Sequence, residues 1–107
     1  MNLLTRAEEL ILLAIWRLKD NAYCIPIHEQ VSSITGEKLS LGSIYMPLDR
    51  LVKKGYLESY LSEATPERGG RHKRIYKLTH EGLKALQKIR NVQDRMWRGI
   101  PNLSEEG

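Results

Sequence analysis

Seven consecutive residues, Arg68-Gly69-Gly70-Arg71-His72-Lys73-Arg74, set two glycines inside a cluster of four permanently cationic side chains. Residues 68–77 hold five Lys or Arg and no acid. The chemistry suited to this combination is contact with a polyanion. Glycines permit tight turns and close backbone approach to a duplex, and arginines pair bidentately with phosphate or enter a minor groove. A solvated basic loop has the same composition, so the surrounding elements must decide between the two. Ser40, Ser43, Arg50, Lys53 and Lys54 form a second set, with Gly42, Met46 and Asp49 on the same helical face. Small residues near a helix N-terminus let the backbone approach a phosphate, where free N–H groups and the helix dipole favour an anion. Ser43 and Arg50 can reach phosphates or base edges, and Lys53 and Lys54 suit phosphate alone. An ordinary solvated helix face is the alternative.

Residues that could catalyse or bind metal do not assemble. His28-Glu29 begins an H-E-x-x-H zinc-protease pattern, but position 32 is Ser and the second ligand is missing. His72 lies in the basic loop and His80 in a helix cap. Cys24 has no nearby base in the sequence and is expected to be a small buried residue. No phosphate-binding glycine loop of Walker type is present. The expectation is therefore a non-enzyme with no catalytic site, no metal and no cofactor.

Periodicity supplies the elements. Thr5-Arg6-Ala7-Glu8 is a T-x-x-E capping box, followed by Leu10, Ile11, Ala14, Ile15 and Leu18 as the apolar stripe of a helix ending near Lys19. Tyr23-Cys24-Ile25 reads as a brief strand. Pro26 suits the first turn of a second helix, with Ile27, Val31 and Ile34 inward and Gly36 as a left-handed cap. Ser40 caps a third helix whose inward face is Leu41, Ile44, Tyr45, Leu48, Leu51 and Val52. Pro47 interrupts its hydrogen bonding, but the apolar phase runs through it, so the helix is retained, with a kink possible. Residues 56–61 and 71–78 read as a hairpin around the basic loop, and Thr79 caps a fourth helix from His80 to about Arg98.

In the fourth helix Ala85, Leu86, Ile89, Val92, Met96, Trp97 and Ile100 share one arc. The three-helix core is too small to cover it, so a second copy of the chain is the expected cover, through Leu86, Ile89, Val92, Met96, Trp97 and Ile100. Folding back along its own core is the alternative. The order of elements reads as a mainly α, α+β fold: a winged helix-turn-helix with a two-stranded wing and a C-terminal dimerisation helix. Residues 1–78 would be the DNA-binding domain and 79–107 the dimerisation helix and tail.

Length and charge agree. The 107 residues fit one domain. Residues 1–40 carry 4 Lys or Arg against 5 Asp or Glu, and residues 41–107 carry 13 against 8, so the excess positive charge sits in the second part. The longest apolar run, Leu10 to Trp16, is far short of the roughly 20 residues a membrane span needs. Met1-Asn2-Leu3-Leu4-Thr5 lacks the pattern of a signal peptide, and a single cysteine suits a reducing compartment, so a cytoplasmic location with no membrane partner is expected.

The chain resembles the PadR-like transcriptional regulators over about residues 5 to 98. The matching pieces are Thr5-x-x-Glu8, Ala22-Tyr23 with Pro26-Ile27, and Thr35-Gly36. More specific are Leu39-Ser40-x-Gly42-Ser43-Ile44-Tyr45-x-Pro47-Leu48-x-Arg50-Leu51 and Gly69-Gly70-Arg71-x-Lys73-Arg74-x-Tyr76-x-Leu78-Thr79-x-x-Gly82. The resemblance implies a cytoplasmic repressor that dimerises through the C-terminal helix and binds double-stranded operator DNA with the third helix and wing. Carried over by position, Tyr45, Arg50, Arg71, Lys73 and Arg74 hold the DNA backbone, with Arg68 beside them in the loop. In some members an aromatic ligand inserts at the dimer centre beside a tryptophan of the last helix. Here the corresponding position is Gln93, with Trp97 one turn later, so Gln93 and Trp97 are the candidate positions for a small aromatic effector, Trp97 being better suited to the dimer core than to a ligand platform. Cys24 stands where the family often has glycine, which implies a small change in the adjoining turn. The expected function is a sequence-specific dimeric regulator of a palindromic site. A winged-helix protein-interaction module and a non-specific nucleic-acid binder are the alternatives.

Overall fold

The computed structural model describes residues 2–63 and 72–102. Helix α1 (Arg6–Leu18) starts at the expected box. Thr5 Oγ1 accepts from the Glu8 amide at 3.1 Å, and the Thr5 amide donates to the Glu8 carboxylate at 2.9 Å. The helix buries Ile11, Leu12, Ala14 and Ile15. Leu12 falls outside the expected stripe and is nonetheless fully enclosed. The cause is tertiary, because α1 touches α2, α3, α4 and the sheet and so is covered on more than one side.

Residues 23–25 are not a strand. A short 3-10 turn (Lys19–Asn21) follows α1, and α2 (Cys24–Thr35) begins directly after the extended Tyr23. The Tyr76 amide donates to the Ala22 carbonyl at 2.8 Å just before this segment, which opens α2 instead of pairing along β2. Pro26, third in the helix, loses no intrahelical bond there, since the first four amides have no helical partner. Ile27 and Val31 are buried as expected, but Ile34 is 59% exposed near the helix end. Gly36 closes α2 in the left-handed conformation with φ 72°.

Helix α3 (Leu41–Lys53) is continuous through Pro47. Its buried residues are Ile44, Pro47, Leu48 and Leu51, spaced three, one and three apart. The proline ring is therefore part of the inward stripe. Its inclusion rotates the helix relative to the expected face, so Leu41 and Tyr45 point outward, 52% and 56% exposed, and Val52 is half-buried.

Strands β1 (Leu57–Leu61) and β2 (Arg74–Leu78) pair antiparallel with Leu57 opposite Leu78 and Leu61 opposite Arg74. The expected returning strand began earlier, at residue 71. His72 and Lys73 are not in the strand, and residue 71 lies outside the described residues. Ile75 and Tyr76 are both buried although they face opposite sides of the ribbon. Helix α4 (His80–Trp97) is capped by Thr79, which accepts from the Gly82 amide at 3.0 Å. Gly82 is required by close packing: a Cβ there would sit 2.3 Å from the Tyr56 carbonyl oxygen. One core joins the four helices and the hairpin, with Leu86 and Ile89 of α4 closing it. The whole is a winged helix. No described helix is long and apolar enough to cross a membrane.

Candidate nucleic-acid interface

Helix α3 projects its candidate residues by a cap and a turn. Ser40 Oγ accepts from the Ser43 amide at 3.2 Å, and the Ser43 hydroxyl donates to the Ser40 carbonyl at 2.7 Å. The two serines thus fix the helix start, and Ser43 keeps an oxygen that can still accept. His28 Nε2 meets the Leu39 carbonyl at 2.5 Å, tying α2 to the turn before α3. Buried Ile44, Pro47, Leu48 and Leu51 then hold α3 against the core, which leaves Gly42, Tyr45, Met46, Asp49, Arg50 and Lys53 facing solvent.

Three large apolar side chains, Leu41, Tyr45 and Met46, stand on this open face. Apolar groups contact thymine methyls in a major groove. The inward reading of Leu41 and Tyr45 from periodicity is corrected, and for Tyr45 the outward position agrees with the role implied by resemblance. The signal that could have identified both was Pro47: counted as apolar, it completes an i, i+3, i+4, i+7 stripe that excludes them.

The cations are not equivalent. Lys53 pairs with Asp49 at 3.0 Å, both largely exposed. Arg50 is exposed. Lys54, expected among the phosphate contacts, instead has its ammonium 2.8 Å from Glu8, whose side chain is only 1% exposed. Burial alone would raise the Glu8 carboxyl, but hydrogen bonds from Lys54 and the Thr5 amide outweigh it and hold the acid below its ordinary value. Moving Lys54 away would strand a buried charge, so this residue joins α1 to the end of α3.

At the base of the wing, the Lys73 ammonium lies 3.8 Å from the Tyr23 ring centroid, and the Lys73 amide donates to Ser62 Oγ at 2.9 Å. Arg74 donates to Ser59 Oγ at 3.0 Å across the ribbon. His72 Nδ1 meets the Ser62 carbonyl at 2.6 Å. Arg68, Gly69, Gly70 and Arg71 lie outside the described residues. Burial pushes the Tyr76 phenol up, and the Arg74 guanidinium opposes it. Cys24 is half-buried with its thiol raised by burial, which makes it a poor nucleophile.

The stripe of α4 divides. Leu86 and Ile89 are closed inside the protomer's own core, and Val92 is half-buried. Met96, Trp97 and Ile100 are 72%, 64% and 55% exposed. Gln93 donates to Glu9 at 3.1 Å. Between α1 and α4 runs a groove of about 500 Å³ lined by Leu13, Trp16, Leu86 and Gln93 among others. Among the described residues no cluster of three or more His, Cys, Asp or Glu could hold a metal ion.

Residues 12–88 match the sequence model of the Transcriptional regulator PadR-like family. Among solved structures, the chain is similar to a PadR family transcription regulator from hypervirulent Clostridium difficile, at 31% identity and a TM-score of 0.66, with 90% of this chain and 91% of that one covered. It is similar to hsRosR-S4 in a complex structure, at 25% identity, TM-score 0.67 and coverage of 96% and 82%. A transcriptional regulator from Clostridium thermocellum shares the fold at 22% identity, TM-score 0.69 and coverage of 87% of each chain. No functionally curated protein matches the chain.

Proposed function

The chain belongs to the PadR-like family of transcriptional regulators, DNA-binding winged-helix proteins and not enzymes, and on that premise we propose that it is a dimeric cytoplasmic repressor of a palindromic operator. The observation that carries this reading is the open face of α3, where Tyr45, Met46, Arg50 and Lys53 stand free of the core on a helix that packs against strand β1 of the basic hairpin. A helix so presented enters a major groove while the wing grips flanking phosphate. Arg50, Lys53, Lys73, Arg74, Arg68 and Arg71 serve as cations, and Ser40 and Ser43 bring the helix N-terminus to the backbone. Lys54 contributes through Glu8 by orienting α3.

Pairing uses the far end of α4. Exposed Met96, Trp97 and Ile100 form an apolar patch of the kind that marks an interaction surface. A two-fold dimer presents two α3 helices to an inverted repeat. In this reading residues 1–78 contact DNA and 79–107 pair the protomers, with the first half of α4 also sealing the core. A small aromatic effector would stack on Trp97, since Gln93 is held by Glu9. A small protein whose open faces serve DNA and its own copy acts most simply by occupying the operator and blocking transcription.

Selection of bound sequences from a random duplex pool at two salt concentrations tests this. Enrichment of an inverted repeat is expected, and a promoter carrying it should be transcribed less when the protein is present. Weak, salt-sensitive binding to every duplex would make the protein a non-specific binder instead.

A further inference from the structure

Asp49 is the only acid in α3, and it stands in the middle of the face that would meet DNA. Gly42, Met46, Asp49 and Lys53 follow at spacings of four, three and four, so they share one line along the side opposite Ile44, Pro47, Leu48 and Leu51. A carboxylate on that line is repelled by phosphate, so it weakens binding unless a donor awaits it. Among the described residues its ion-pair partner is Lys53, an exposed contact of the kind that contributes little.

An ionised carboxylate can only accept hydrogen bonds. In the major groove guanine offers two acceptors and thymine one, and adenine sets its amino donor beside the N7 acceptor. Cytosine alone presents an amino donor with no acceptor next to it. Met46, one turn before Asp49, is 62% exposed and apolar, which suits the thymine methyl. Gly42, one turn earlier, would meet only Ser40 Oγ at 3.9 Å with a Cβ, and without a side chain it keeps the helix close to the bases. We infer that Asp49 determines specificity by accepting from the N4 amino group of a cytosine, with a thymine methyl packed on Met46 nearby. This rests on α3 lying in the major groove. Side chains three apart on a helix are about 5–6 Å apart at Cβ, and base pairs about 3.4 Å, so the two bases lie one or two steps apart.

The test is the same random-pool selection run on the wild type, Asp49→Asn and Asp49→Ala. The wild type should enrich one cytosine per half-site with thymine within two base pairs. Asparagine pairs bidentately with adenine, so Asp49→Asn should replace that cytosine by adenine, by about fivefold or more, and leave every other position alone. Asp49→Ala should erase the preference there only. Both variants lose a negative charge and should bind an unrelated duplex at least as tightly as the wild type, which also shows that they fold. An enriched wild-type motif that Asp49→Asn leaves unchanged would overturn the inference and spare the DNA-binding reading. A wild type that enriches no motif would overturn both.

Discussion

Glu8 sits 1% exposed at the start of α1, where two groups compensate its charge: the Thr5 amide and the Lys54 ammonium. A residue first legible as a local capping signal therefore also anchors the far end of α3. Glu8→Gln keeps the shape and removes the charge, and should lower stability by about 1–2 kcal/mol at neutral pH, as read by urea unfolding. The folded carboxyl lies below its ordinary value near 4.5. A depressed acid contributes stability that is fully present above the unfolded value and lost as pH falls through the folded one. The wild-type advantage over Glu8→Gln should hold from neutral pH to about pH 5 and close below the ordinary value. An advantage still undiminished at pH 3 would mean that the charge is not its source.

At the scale of elements, α3 and the wing divide the work of meeting DNA. Helix α3 is rigidly seated, with four residues in the core and both termini tied, at Ser40 and through Lys54 to Glu8. At the wing base, Lys73 rests on the Tyr23 ring and Arg74 on Ser59. The first joins two half-buried residues and the second is exposed, and a phosphate can replace either. Replacing Arg71, Lys73 and Arg74 together by alanine should leave the fold intact and weaken DNA binding strongly. The slope of log binding constant against log salt should flatten by about 2 to 3, as three released counterions require. An unchanged slope in filter-binding titrations would remove the wing from the interface.

For the whole molecule the question is what covers Met96, Trp97 and Ile100. Helix α4 extends about 27 Å at 1.5 Å per residue over its 18 residues, and its packing on the core ends with half-buried Val92 and Gln93. Beyond that point apolar side chains face water. A second copy laid along the same surface would bury them. Trp97→Ala should then raise the dimer dissociation constant by about tenfold or more, as central interface tryptophans do. Sedimentation across a dilution series measures it, and an unchanged dissociation constant would move the interface elsewhere.

Where helices begin and end, and that a hairpin follows three of them, was legible because those features are local. The Thr5–Glu8 box, the Ser40 and Thr79 caps and the left-handed Gly36 each depend on residues a few positions apart. The basic cluster was legible because charge is additive along a chain. Which way each element turns depends on its docking against the others. Apolar periodicity defines an arc but not its edges, so Leu41, Tyr45 and Ile34 were assigned inward and lie outward, while Leu12 is enclosed by neighbours distant in sequence. Pro47 reads as a breaker locally and becomes a core residue once α3 is docked. The strand expected at residues 23–25 needs a partner along its length, and those residues instead cap and open α2. Lys54 looks like any surface cation until folding brings it to Glu8, 46 residues away. Long-range proximity, not residue type, sets the role of each of these.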